Sequence, residues 1–113
     1  MADLTGMAIL VTGGGTGIGK ACAAKLAADG AAVTICGRTE ASLQAAAQEI
    51  AALATGGGSV QWICGDVTSE ADVRAFVARA ATPTGHLNGV IANAGGGGMP
   101  MPYGKVDTDE FMR

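Results

Sequence analysis

The sequence predicts an α/β fold, a doubly wound parallel sheet covered by helices. Short apolar runs rich in β-branched residues alternate along the chain with longer Ala-rich segments that favour helix. The loops between them are short, and each helical segment is long enough to connect two parallel strands. The 113 residues are 49% hydrophobic, which suits one small domain with its own core.

The first half of the chain provides two predicted strands and two predicted helices. The continuous apolar run at 7–12 is typical of a central strand buried on both faces. After a cluster of glycines, residues 18–30 favour a helix that ends at a glycine. A second strand is predicted at 31–36. A strong helix follows over 40–54, with Thr39 as its N-cap.

The second half repeats the alternation. A third strand is predicted at 59–64, and the segment 65–81 contains a helix whose N-cap is Thr68 or Ser69. A fourth apolar strand is predicted at 87–95. We therefore expect the first four strands and three helices of a doubly wound sheet.

The last residues predict the start of a fourth helix. Asp107 or Thr108 is a candidate N-cap, and Glu110 and Phe111 would enter the helix. A helix of about one turn buries little and is costly to nucleate. We therefore expect residues 1–113 to be the N-terminal part of a single domain in a longer protein.

Charge and composition exclude several classes of partner. The net charge is −3 at pH 7 and no block of Lys or Arg occurs, so neither nucleic acid nor an anionic membrane surface is an expected partner. No apolar run reaches the ~18 residues that a membrane span needs, and no signal-peptide pattern is present. Cys22, Cys36 and Cys64 are far apart, lie in apolar segments and lack metal-ligand spacing. This usage predicts a reducing, cytoplasmic location without a metal site.

The glycine cluster at 13–19 allows three interpretations. A flexible linker is disfavoured because the cluster lies between a predicted buried strand and a predicted helix. A nucleoside triphosphate loop, G-x-x-x-x-G-K-[ST], matches residues 14–20. However, Ala21 replaces the hydroxyl residue that would bind Mg²⁺.

The third interpretation is a dinucleotide-binding loop. The common G-x-G-x-x-G pattern does not fit, but T-G-x-x-x-G-x-G fits Thr12, Gly13, Gly17 and Gly19. Glycine at these positions permits a tight turn, close approach of backbone N–H groups to a pyrophosphate, and close packing of the helix on the sheet. The hydroxyl of Thr16 is a further candidate phosphate ligand.

With two later motifs, this loop resembles the short-chain dehydrogenase/reductase family. The three motifs come in the family's order: the glycine loop at 12–19, Asp66-Val67 after the third strand, and Asn93-Ala94-Gly95 after the fourth. The resemblance covers nearly the whole chain. It implies a Rossmann-type sheet that binds a nicotinamide dinucleotide at the carboxyl ends of its strands.

The resemblance also implies roles for individual residues. Asp66 would accept a hydrogen bond from the adenine amino group and Val67 would pack on the ring, although Asp66 is also a candidate helix-capping carboxylate. Asn93 would mainly tie the sheet together, close to the cofactor. The predicted cofactor-binding residues are Gly13, Gly15, Thr16, Gly17, Ile18, Gly19, Arg38, Asp66, Val67, Asn93, Ala94 and Gly95.

The end of the second strand favours NADP(H) over NAD(H). A site for the unphosphorylated cofactor places Asp or Glu about 20 residues after the glycines, where it binds the ribose 2′-hydroxyl. Here that place is taken by Gly37, and Arg38 follows. A guanidinium can bind a 2′-phosphate that a carboxylate would repel. The competing interpretation is a solvated loop arginine.

The residues that carry out the family's chemistry are not found in this sequence. The resemblance implies hydride transfer at a carbonyl or alcohol of a small molecule, with a serine and a Y-x-x-x-K pair as catalytic residues, usually in a homo-oligomer. Tyr103 and Lys105 have the wrong spacing. We therefore name no catalytic residue and expect this stretch alone to be inactive. The alternative is a non-catalytic dinucleotide-binding or sensor module of 113 residues.

Overall fold

Four parallel strands form one sheet in the computed structural model, which describes residues 4–13, 15, 17–54 and 58–93. The strands are β1 (Ala8–Thr12), β2 (Ala32–Gly37), β3 (Ser59–Cys64) and β4 (Gly89–Ala92). Their order across the sheet is β3-β2-β1-β4, and all three pairings are parallel. The predicted doubly wound parallel sheet is confirmed.

Three helices connect these strands, α1 (Gly17–Ala28), α2 (Glu40–Leu53) and α3 (Glu70–Ala81). Gly30, the second residue after α1, has φ of +103°, a left-handed conformation typical of the end of a helix. Ser69 caps α3, since its hydroxyl accepts a hydrogen bond from the Asp72 N–H at 3.3 Å. Thr39 occupies the N-cap position of α2, but its side chain makes no capping hydrogen bond. The predicted fourth helix lies outside the described residues.

Each face of the sheet has its own core. Ile9 and Val11 of β1 pack with α1 and α2 on one face. Ala8 and Leu10 pack with Phe76 of α3 on the other. Because successive strand residues point to opposite faces, β1 must be apolar from Ala8 to Val11 to pack in both cores. This explains the uninterrupted run of hydrophobic residues with which the strand begins.

Parallel pairing brings the carboxyl ends of the strands together at one edge. Thr12 of β1 lies in register with Cys36 of β2 and with Ala92 of β4, and Gly37 lies in register with Cys64 of β3. The residues that follow the four strands are therefore neighbours in space, although they come from four distant parts of the sequence.

Candidate functional site

The glycine loop begins where β1 ends, beside the carboxyl end of β2. The Gly13 N–H donates to the Cys36 carbonyl at 2.8 Å, which carries the sheet's hydrogen bonding one residue past β1. Gly13 then turns the chain with φ of +66°, a left-handed conformation that favours glycine. A Cβ on this residue would also collide with the backbone carbonyl oxygen of Asn93.

Two further glycines of the loop lie in the first turn of α1 and have opposite surroundings. Gly19 is buried, and a Cβ there would collide with the Gly13 carbonyl and lie 2.7 Å from Asn93 Nδ2. Gly17 has φ of +56°, and a Cβ built on it would meet no atom within 4 Å. Gly19 therefore packs the helix against the sheet edge, whereas the backbone at Gly17 faces open space. Thr16 lies outside the described residues.

Gly15 is the residue of the loop that lies next to α2. A Cβ built on it would lie 3.4 Å from Ser42 Cβ and 3.5 Å from Leu43 Cδ2, which is van der Waals distance. Ile18, on the first turn of α1, is 74% exposed.

The end of β2 places Gly37 and Arg38 beside this loop. Arg38 is exposed, and its carbonyl oxygen accepts a hydrogen bond from Cys64 Sγ at 3.4 Å. Gly37 offers no side chain, and a Cβ there would make only ordinary contact with Leu43. A guanidinium thus lies at the edge where the four strands end, with no carboxylate at the preceding position.

Asp66 follows β3 and is held by the turn that leads into α3. Its Oδ1 accepts hydrogen bonds from the Thr68 N–H at 2.8 Å and from the Thr68 hydroxyl at 2.7 Å. These two bonds, with a smaller contribution from the positive charge of Arg38, hold the pKa of Asp66 below its ordinary value. Oδ2 has no hydrogen bond to any residue in the described part of the chain. Asp66 therefore organises a turn before α3, while Ser69 is the helix cap.

Val67 and Asn93 also lie at this edge. Val67 is half-buried and packs against the core that contains Phe76. The Asn93 N–H donates to the Thr12 hydroxyl at 2.8 Å, and that hydroxyl lies 3.5 Å from the Ile91 carbonyl, to which it donates. Ala94 and Gly95 lie outside the described residues.

Thr12 also belongs to this edge, although it is not one of the predicted cofactor-binding residues. It is only 6% exposed, and its hydroxyl joins the end of β1 to the end of β4. The signal for it was a hydroxyl side chain at the last position of an otherwise apolar strand. Such a buried hydroxyl needs hydrogen-bond partners, and a neighbouring strand end supplies them.

The described residues contain no group of three or more His, Cys, Asp or Glu side chains that could hold a metal ion. Within the same residues, no helix is long and apolar enough to cross a membrane.

Burial raises the pKa of the Cys36 thiol to about 12, so this thiol stays protonated in the core at neutral pH.

Comparison with known proteins shows which family this chain is similar to. A family model described as short chain dehydrogenase matches residues 7–113. The 2,5-dichloro-2,5-cyclohexadiene-1,4-diol dehydrogenase of Sphingobium indicum is 37% identical over 113 residues, which is 100% of this chain and 43% of that protein. L-fucose dehydrogenase of Rattus norvegicus is 37% identical over 91 residues, 80% of this chain and 31% of that protein.

Solved structures agree in fold. A short-chain type dehydrogenase/reductase from Mycobacterium ulcerans superposes with a TM-score of 0.80 at 41% identity, covering 83% of this chain and 34% of that one. A hydroxysteroid dehydrogenase from Escherichia coli gives a TM-score of 0.76 at 33% identity, covering 88% and 43% respectively.

The chain spans less than half the length of these relatives. Its match to the family model, however, runs through the glycine loop and on past all four strands. The chain belongs to the short-chain dehydrogenase family.

Proposed function

We propose that this chain is the NADP(H)-binding part of a short-chain dehydrogenase/reductase that acts on a carbonyl or alcohol group of a small molecule. The family implies a nicotinamide dinucleotide cofactor. The observation that carries the proposal is the position of Gly37 and Arg38 beside the glycine loop, at the edge where all four strands end.

The loop provides a place for the cofactor's pyrophosphate. The open space at Gly17 and the first N–H groups of α1, which have no partner within the helix, suit an anion, and the helix dipole adds positive potential there. Gly13 and Gly19, which precede and follow Gly17, both pack closely against Asn93. Ile18 would cover part of the bound cofactor and lose its exposure.

The adenine would lie at the end of β3. Asp66 keeps Oδ2 available within the described structure while Oδ1 is bound by Thr68, so one carboxylate can organise its turn and still accept from an adenine amino group. The lowered pKa keeps this carboxylate ionised, and therefore an acceptor, at neutral pH.

The preference for NADP(H) rests on charge. With Gly37 in place of an acidic residue, nothing at that position repels a 2′-phosphate, and no carboxylate is offered to the 2′-hydroxyl of NAD(H). Arg38 is exposed and has no acidic partner within 4.0 Å in the described structure. Its guanidinium is therefore available for a charge-assisted contact with the phosphate.

When bound, the cofactor would supply the hydride chemistry, while the residues that handle the substrate would lie outside this chain. The sequence contains one tyrosine, Tyr103, and Asp107 follows it at the spacing where the family has lysine. We propose that residues 1–113 form the N-terminal part of one Rossmann domain and turn over no substrate alone. The complete protein is proposed to form a homo-oligomer, by family resemblance. Its proposed location is the cytoplasm, because the three cysteines of this chain suit a reducing compartment.

The alternative is a dinucleotide-binding module without catalysis. Two measurements separate the proposals. First, the purified chain is titrated with NADPH and with NADH by calorimetry, and we expect tighter binding of NADPH. Binding of neither cofactor would overturn both proposals. Second, the coding sequence beyond Arg113 is read. A Y-x-x-x-K motif supports the oxidoreductase, and a stop codon supports the module.

A further inference from the structure

The first turn of α2 places a serine against the glycine loop. Ser42 is the third residue of α2 and is half-buried. A Cβ built on Gly15 would lie 3.4 Å from the Ser42 Cβ, so the Ser42 side chain leaves its helix on the side that faces the loop. Ser42 therefore lies at the contact between α2 and the glycine loop.

The hydroxyl of Ser42 has no hydrogen-bond partner among residues 4–13, 15, 17–54 and 58–93. The helix cap does not use it, since Ser42 lies three residues inside the helix, and no core residue accepts from it. As far as the described residues go, a half-buried hydroxyl of this kind can bind water or a ligand without breaking an existing bond.

Leu43, the residue after Ser42, connects the end of β2 to the loop. A Cβ built on Gly37 and a Cβ built on Gly15 would each lie 3.5 Å from Leu43 Cδ2. Arg38 directly follows Gly37 and comes two residues before α2 begins. Glu40 lies on the same turn as Ser42 and carries a negative charge. However, residues two apart on a helix point to different faces, so the Glu40 carboxylate does not share the side of Ser42.

We propose that Ser42 is a specificity-determining residue whose hydroxyl donates a hydrogen bond to the 2′-phosphate of NADP(H), beside the Arg38 guanidinium. This inference rests on the proposed function, because it assigns a second ligand to the same phosphate. A hydroxyl donor to an ionised phosphate makes a stronger bond than one to a neutral hydroxyl. Ser42 would therefore strengthen the binding of NADP(H) and contribute little to the binding of NAD(H).

The test compares dissociation constants for NADPH and NADH, measured by calorimetry on the full chain. Ser42→Ala removes the hydroxyl and does not weaken the helix, since alanine has the higher helix propensity. We expect NADPH binding to weaken about tenfold, the size of one hydrogen bond to a charged group. NADH binding should change less than about twofold, and Ser42→Thr should retain the preference for NADPH.

Ser59→Ala is the matched control, because Ser59 begins β3 at the opposite edge of the sheet. This variant should bind both cofactors like the parent chain. If Ser42→Ala weakens the binding of NADPH and NADH equally, or weakens neither, the role of Ser42 is overturned. If Arg38→Ala abolishes the preference while Ser42→Ala leaves it intact, the proposed function stands and this inference falls. If the parent chain binds neither cofactor, both fall.

Discussion

The hydroxyl of Thr12 accepts a hydrogen bond of 2.8 Å from the backbone N–H of Asn93. The two residues are 81 positions apart in sequence, and the bond joins the ends of β1 and β4 beside the glycine loop. Asn93 in turn lies against Gly13 and Gly19. Thr12 therefore helps to fix the backbone that forms the proposed phosphate cradle.

Replacing Thr12 by valine should destabilise the fold. Valine keeps the shape but leaves the Asn93 N–H without its acceptor, which costs about 1–2 kcal/mol when the group is partly buried. Urea denaturation of Thr12→Val and Thr12→Ser gives the free energy of unfolding. Thr12→Ser retains the hydroxyl, so its free energy of unfolding should fall less than that of Thr12→Val. Equal stability of Thr12→Val and the parent chain would contradict the role given to this bond.

The glycines of the loop should differ sharply in their tolerance of alanine. A Cβ at Gly19 would lie 2.7 Å from Asn93 Nδ2 and collide with the Gly13 carbonyl, so Gly19→Ala should destabilise the fold by about 1–3 kcal/mol through overpacking. Gly15→Ala meets only ordinary contacts and should change the free energy of unfolding by less than about 0.5 kcal/mol. Comparable losses at both positions in thermal or urea unfolding would show that the packing described here is wrong.

An acidic residue at position 37 should reverse the cofactor preference. The backbone of Gly37 is not left-handed, and a Cβ there lies 3.5 Å from Leu43 Cδ2, so a side chain is tolerated. Gly37→Asp should weaken NADPH binding at least about tenfold through charge repulsion and strengthen NADH binding. Gly37→Asn has the same size without the charge and should not strengthen NADH binding. The proposal fails at this residue if Gly37→Asp binds NADPH as tightly as the parent chain.

The turn at Asp66 should be sensitive to acid. Hydrogen bonds from Thr68 lower the pKa of Asp66 in the folded state, whereas the unfolded chain titrates near ~3.9. Because the pKa of Asp66 is lower in the folded than in the unfolded chain, the ionised carboxylate stabilises the fold at any pH above the unfolded pKa. This stabilisation is lost as the pH falls through the folded pKa. This contribution therefore disappears in the acid range, below about pH 4.

The variant Thr68→Ala tests this turn. It removes the hydroxyl donor at 2.7 Å but keeps the backbone N–H donor at 2.8 Å. The pKa of Asp66 should rise part of the way towards its ordinary value, as followed by NMR titration of the Asp66 side-chain carboxyl carbon. An unchanged titration curve would mean that the hydroxyl does not hold the carboxylate in solution.

The strands and helices could be predicted from the sequence because their causes are local. The third strand was predicted at 59–64 and is observed at Ser59–Cys64. The fourth was predicted at 87–95 and is shorter, Gly89–Ala92. Before it, Asn88 contacts Ala8 of β1 partly through its side chain, since Asn88 Oδ1 accepts from the Ala8 N–H. After it, the Asn93 N–H donates to the Thr12 hydroxyl.

Side-chain contacts between distant segments could not be predicted in this way. Gln61 Nε2 donates to the buried Thr34 hydroxyl at 2.9 Å and to the Arg79 carbonyl at 2.7 Å, which ties β2, β3 and α3 together. Nothing in the local pattern around Gln61 identifies these partners, because they follow from strand order and helix placement. The contact between Gly15 and Ser42 has the same origin.

The cofactor preference is tested most directly at Arg38. NADPH and NADH dissociation constants are measured by calorimetry for the parent chain and for Arg38→Ala. Loss of a charge-assisted contact to the 2′-phosphate should weaken NADPH binding by at least about tenfold and leave NADH binding nearly unchanged. Equal losses for the two cofactors would contradict the assignment of this chain as an NADP(H)-binding unit.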